Sequence, residues 1–187
     1  MEDHDLIREI LSGDQQAITK LHERYVDRIF HYIYTQTNSY HDTEEMLQDV
    51  FLKVARKLDH FEGKASFKTW IFKIARNVVI DYYRKQNKER QSIAMEKDFL
   101  EDVVGENESA ETTVLRNFHI DEVLQLIDRL PSHYRTVLHL RFIEEFTIQE
   151  TSDIMGKSTL SVKSMQRRAR SALSEQMNLE VSSHEPS

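Results

Sequence analysis

Five basic residues, Lys157, Lys163, Arg167, Arg168 and Arg170, stand in the stretch KSTLSVKSMQRRARSALS without one acid, in a chain of net charge −7. At helical spacing Lys163, Arg167, Arg170 and Ser174 share one side, while Val162, Met165, Ala169 and Leu173 share the other. A basic helical face of this kind holds phosphates and, in a major groove, reads guanine edges. A merely solvated face is the alternative for any charge run.

A second basic block runs from Gly63 to Arg90, with eight basic residues against two acids, net +6. Within it, SFKTWIFKIARNVVIDYYRKQ predicts a helix capped by Ser66, with Phe67, Trp70, Ile71, Ile74, Val78 and Tyr82 on its inner face. Its other side carries Thr69, Phe72, Lys73, Arg76, Ile80 and Tyr83 and is not plainly polar. Aromatic rings among cations stack on unpaired bases while the cations hold phosphates. Cover by neighbouring helices is the expectation for Phe72 and Ile80. It is not the expectation for Lys73 and Arg76, because a buried unpaired cation is costly.

A third pattern lies in TEEMLQDVFLKVARKL. Met46, Leu47, Val50, Phe51, Val54 and Leu58 form an apolar stripe, and Glu45, Gln48, Asp49, Leu52 and Arg56 lie opposite. Leu52 is either an ordinary exposed leucine or the centre of a small docking patch among acids and amides.

Other chemistries find little support. There is no phosphate loop, dinucleotide fingerprint or HExxH motif, and the nine histidines have no ligand spacing, so no cofactor, metal or enzyme activity is expected. Glu144 and Glu145 read as ordinary surface acids. With no cysteine a reducing cytoplasm suits the chain. MEDHDLIREIL is no signal peptide and no apolar run reaches membrane-spanning length, so no membrane insertion is expected.

The elements that hold these residues follow from composition. Only four glycines and two prolines occur, too few for the turns of a sheet-rich fold, so the expected class is all-α. GDQQAITKLHERYVDRIFHYIYTQ predicts a helix with Ile18, Leu21, Tyr25, Ile29 (or Val26), Tyr32 and Ile33 at helical spacing. Gln91–Thr112 carries seven acids and one lysine and reads as a flexible linker, a surface loop being the alternative. Two small helical domains result, 1–90 and 113–179, joined by the acidic linker 91–112 and followed by a polar tail, 180–187. In the second, Val123, Leu124, Ile127 and Leu130 form a stripe ending at Pro131. Thr147 and Glu150 form a capping box, Gly156 closes that helix, and Ser158 caps the next. A short helix, a glycine-containing turn and a second helix make a helix-turn-helix, with Lys163, Arg167 and Arg170 on the recognition helix.

EEMLQDVFLKV, followed by HFEGKASFKTWIFKIARNVVIDYYRK, resembles region 2 of the extracytoplasmic-function (ECF) sigma factors, and GDQQAITKLHERY resembles its opening. LPSHYRTVLHLRFIEEFTIQETSDIMGKSTLSVKSMQRRARSAL resembles region 4. The resemblance implies a protein that binds bacterial core RNA polymerase and directs it to promoters, held in check by an anti-sigma factor. Glu45, Gln48, Asp49 and Leu52 would dock on the polymerase. Phe61, Lys64, Phe67, Lys73 and Asn77 would open the −10 element and hold an extruded base, with Lys53, Arg56 and Arg76 on the DNA nearby. Lys163, Ser164, Arg167, Arg168 and Arg170 would meet the −35 element. The recognition helix departs from the family pattern. Leu160-Ser161-Val162-Lys163-Ser164-Met165 stands where Gly-Thr-Val-Lys-Ser-Arg is usual, and Met165 falls on the apolar stripe. The competing expectation is a conventional helix-turn-helix regulator with an N-terminal sensor or dimerisation module.

Overall fold

The computed structural model describes residues 2–90 and 120–184, all of whose regular elements are helices. The acidic segment 91–112 lies outside the described residues. The chain divides into two units, the first Met1–Gln91 with Asp153–Gly156 and the second Ser92–Ser152 with Lys157–Ser187.

The first unit holds α1 (Asp3–Leu11), α2 (Gln15–Thr37), α3 (Tyr40–Lys57), a 3-10 turn (Leu58–His60) and α4 (Phe67–Arg90). Local chemistry sets the helix ends. Asp14 accepts hydrogen bonds from the backbone N–H of Gln16 and Ala17, which starts α2. Asn38 ends it in the left-handed conformation at φ 51°. Ser39 then caps α3 through the Asp42 N–H, and Ser66 caps α4 through the Thr69 N–H. The core runs along Leu21, Tyr25, Ile29, Tyr32 and Ile33 of α2, Met46, Val50 and Val54 of α3, and Ile71, Phe72, Ala75 and Val78 of α4. The Tyr83 hydroxyl donates to the Gln36 carbonyl at 2.8 Å and ties α4 to the end of α2.

Two departures from the pattern reading occur here. Ile18 is exposed, and Ala17 is the buried residue in that turn. α1 was not expected: it buries Leu6 and Ile7, and Asp3 accepts hydrogen bonds from Tyr25 and Arg24. Burial first, and the Asp3 hydrogen bond second, push the Tyr25 hydroxyl well above its ordinary pKa.

The second unit holds α5 (Ile120–Asp128), α6 (Ser132–Leu138), a π-helical turn (His139–Ile143), α7 (Ile148–Met155) and α8 (Thr159–His184). Leu126 of α5, Leu130 just after it, Val137 and Leu138 of α6, and Val162, Met165 and Ala169 of α8 make its core. Leu126 was not on the expected stripe; it is fully buried, whereas Val123 and Ile127 are half-buried. α8 runs past the expected boundary at 179, because no glycine or proline interrupts the chain until Pro186.

Candidate nucleic-acid interface

The helix-turn-helix in the second unit is built from local bonds. Thr147 and Glu150 form the reciprocal capping box: the Thr147 N–H donates to the Glu150 carboxylate at 2.8 Å, and the Glu150 N–H to Thr147 Oγ1 at 3.2 Å. α7 closes in a Schellman arrangement, with Gly156 at φ 63° and the Lys157 N–H returning to the Ser152 carbonyl at 3.2 Å. Ser158 Oγ accepts from the Ser161 N–H at 3.1 Å and starts α8.

The opposed faces of α8 come out as the spacing requires as far as Arg170, while Leu173 and Ser174 are both half-buried. Val162, Met165 and Ala169 are fully buried. Lys163 and Arg170 are exposed, and Ser164, Arg167 and Arg168 are half-buried. The Arg170 guanidinium lies 5.9 Å from the centroid of the exposed Phe142 ring. Arg141 anchors the turn behind this face, donating through Nε to Gln166 Oε1 at 2.8 Å and through its guanidinium to the Phe146 carbonyl. Met165 is a core residue and presents nothing to a ligand.

The same turn corrects the reading of Glu144 as a surface acid. Glu144 and His139 are both buried, with His139 Nε2 3.9 Å from Glu144 Oε1. The π-helical turn adds a residue to the coil and swings Glu144 inward, while Glu145 takes the exposed side at φ 57°. Periodicity of an unbroken helix cannot signal such a shift.

In the first unit the 3-10 turn and the loop before α4 build an aromatic cluster. The Phe61 ring sits 5.7 Å from Phe67, edge-on, and 5.2 Å from Trp70, and Phe67 lies 5.5 Å from Trp70 and 5.3 Å from Tyr25. Phe67 is buried and packs against Phe61 and Trp70 from beneath. Trp70, half-buried beside Phe61, was assigned only to the inner face, although an aromatic next to cations was the available signal. Lys64 is exposed and pairs with Glu62.

Lys73 and Asn77 lie exposed one turn apart on α4. Lys53 Nζ is 3.6 Å from the Asp81 carboxylate, which sets α3 against the same α4 row. Arg56 is exposed on α3. Arg76 is half-buried; burial lowers its guanidinium pKa, and Tyr32 opposes that effect.

On α3, Glu45, Gln48, Asp49 and Leu52 are all exposed, Leu52 at 53%. Beside them is an open apolar depression of about 450 Å³ lined by His22, Leu47, Gln48, Phe51 and Leu52. The His22 and Phe51 rings lie 4.4 Å apart along it, tilted at 48° to one another. Sequence patterning missed both, because Phe51 belongs to the inward stripe and His22 comes from another helix. No helix among the described residues is long and apolar enough to cross a membrane.

Residues 21–89 match the family description "Sigma-70 region 2", and residues 120–173 match "Sigma-70, region 4". The chain is 30% identical over 166 residues to the ECF RNA polymerase sigma factor SigX of Bacillus subtilis (strain 168), covering 88% of this chain and 86% of that one. It is 28% identical over 180 residues to SigW of the same organism, covering 91% and 94%. Among solved structures, its fold is similar to the sigma factor RpoE from Bartonella quintana in complex with the anti-sigma factor NepR. There the TM-score is 0.67 at 20% identity, over 86% of this chain and 96% of that one. CnrH in complex with the cytosolic domain of CnrY is similar at TM-score 0.67 and 22% identity, over 95% and 97%.

Proposed function

The chain belongs to the extracytoplasmic-function sigma factors of the sigma-70 family, and from that premise we propose how its two units divide the work. As an alternative sigma factor it binds core RNA polymerase and directs promoter-specific initiation. In the proposed division, residues 1–90 dock on polymerase and open the −10 element, 113–179 read the −35 element, and 91–112 connect them. The observation that carries the reading is the pairing of two kinds of surface in one chain. A region 2 unit exposes a docking patch and an aromatic cluster, and a region 4 unit exposes a capped basic helix.

Glu45, Gln48, Asp49 and Leu52 form the polymerase-docking face. The apolar depression supports this, since exposed Leu52 above half-buried Leu47 and Phe51 gives a partner helix an apolar centre with a charged rim. At the −10 element Phe61 and Trp70 are the rings an extruded base would meet. Unstacking costs a few kcal/mol per base, and stacking on these rings offsets it. Lys53, Arg56, Lys64, Lys73 and Arg76 hold the backbone, and Asn77 offers hydrogen bonds to a base. Lys163, Ser164, Arg167, Arg168 and Arg170 contact the −35 duplex. A net charge of −7 suits this role, because a free-standing DNA binder gains from counterion release while a sigma factor borrows the polymerase's grip.

RpoE was solved with the anti-sigma factor NepR, and the same kind of control is proposed here, in the cytoplasm and over a stress-response regulon. The chain then acts as an initiation factor rather than an enzyme. A conventional regulator is not favoured, since residues 21–89 match region 2. Run-off transcription on a pool of promoter fragments, with and without core polymerase, tests the reading. Specific initiation only with core supports it; tight sequence-specific binding by the protein alone, without effect on core, overturns it.

A further inference from the structure

Leu160 is the most exposed of the large apolar residues described, at 76%. It stands in the first turn of α8, just after the Ser158 cap. At about 100° per residue it projects opposite Ala169, and so opposite the buried stripe of Val162, Met165 and Ala169. Its neighbours on that outer face are Lys163, Ser164 and Arg167, one and two turns along. A large apolar side chain therefore sits at the centre of a face otherwise made for phosphates and base edges. Water gives it no reason to be there, although leucine is a good helix former.

The first turn of a recognition helix comes closest to the base edges. In the major groove the apolar feature of a base is the C5-methyl group of thymine, which aliphatic side chains contact. Resting on the region 4 reading above, we propose that Leu160 is a specificity-determining residue that packs on a thymine methyl of the −35 element. Lys163 and Arg167 supply the polar and phosphate contacts that hold the helix in register. A glycine at this position, as the family pattern usually has, offers no such contact, so this chain demands a thymine where relatives of that pattern do not.

The test uses the holoenzyme and a promoter identified in the run-off experiment. Each −35 thymine is replaced singly by deoxyuridine, which removes only the methyl group. One position should lower initiation about fourfold, the effect of taking roughly one methyl group's worth of surface out of the contact. In the Leu160→Ala holoenzyme, thymine and uracil at that position should become equivalent. Leu160 is exposed, so the variant should fold, and its melting temperature checks this. The proposal is overturned if no thymine is sensitive, or if the sensitivity survives in Leu160→Ala. It is also overturned if Leu160→Ala weakens only the binding of a protein partner and leaves the thymine-to-uracil ratio unchanged. These outcomes leave the sigma reading standing; absence of initiation on every template with core present removes both.

Discussion

Met165→Arg restores the arginine usual in the family pattern, and two opposite outcomes follow from two placements of the side chain. Met165 has no exposed surface, and Val162 and Ala169 on the same stripe have none either. Deleting a buried methionine side chain costs about 2–5 kcal/mol. Leaving an uncompensated charge in such a place costs about 3–5 kcal/mol. A helical unit of this size holds only about 3–10 kcal/mol in all, so the arginine should largely unfold the second unit. Trp70 is the only tryptophan and belongs to the first unit, so its fluorescence follows that unit in a urea titration, while far-ultraviolet circular dichroism follows both. The expected result is a retained fluorescence transition, helical signal lost at low urea, and loss of −35 binding. Met165→Leu conserves volume and should cost under about 1.5 kcal/mol. An arginine variant as stable as the parent, with a holoenzyme that grips the −35 element more tightly, would refute the placement of residue 165 in the core.

Leu52→Glu should leave stability within about 0.5 kcal/mol, as an exposed site does, yet weaken core polymerase binding about 30-fold if it is the centre of the docking patch; unchanged affinity in a pull-down or fluorescence titration sinks that role. Thr147→Ala removes one half of the capping box and should cost about 1 kcal/mol, read as a drop of ~4–8 °C in the melting of the second unit. Burial raises the Asp128 carboxyl, against the pull of Arg135, so the folded chain holds that proton more tightly than the unfolded one. Its contribution is most favourable below the ordinary carboxylate range and is lost as pH rises through the raised value. Asp128→Asn should therefore melt higher than the parent at neutral pH, with the gap closing towards about pH 4; a gap that does not change with pH contradicts the assignment.

What the sequence determined by itself is what rests on near neighbours in the chain. The caps at Ser66, Thr147 with Glu150, and Ser158 join groups three residues apart, and Gly156 answers to its own φ. The two faces of α8 follow from the 3.6-residue period, so the helix-turn-helix and its basic surface were legible with their residues in place. Tertiary structure decided wherever burial depends on a distant segment. Phe67 and Trp70 share one helical face, yet Tyr25 of α2 and Phe61 close over Phe67 and leave Trp70 at the edge. Ile18 and Ala17 exchange the roles that hydrophobicity alone would assign. The depression beside Leu52 needs His22 from α2, and the inward turn of Glu144 needs a π-helical coil that no unbroken period announces. The reason is the same in each case: a periodic pattern sets the direction in which a side chain leaves its helix, but whether it meets protein or water there depends on which other helix occupies that side.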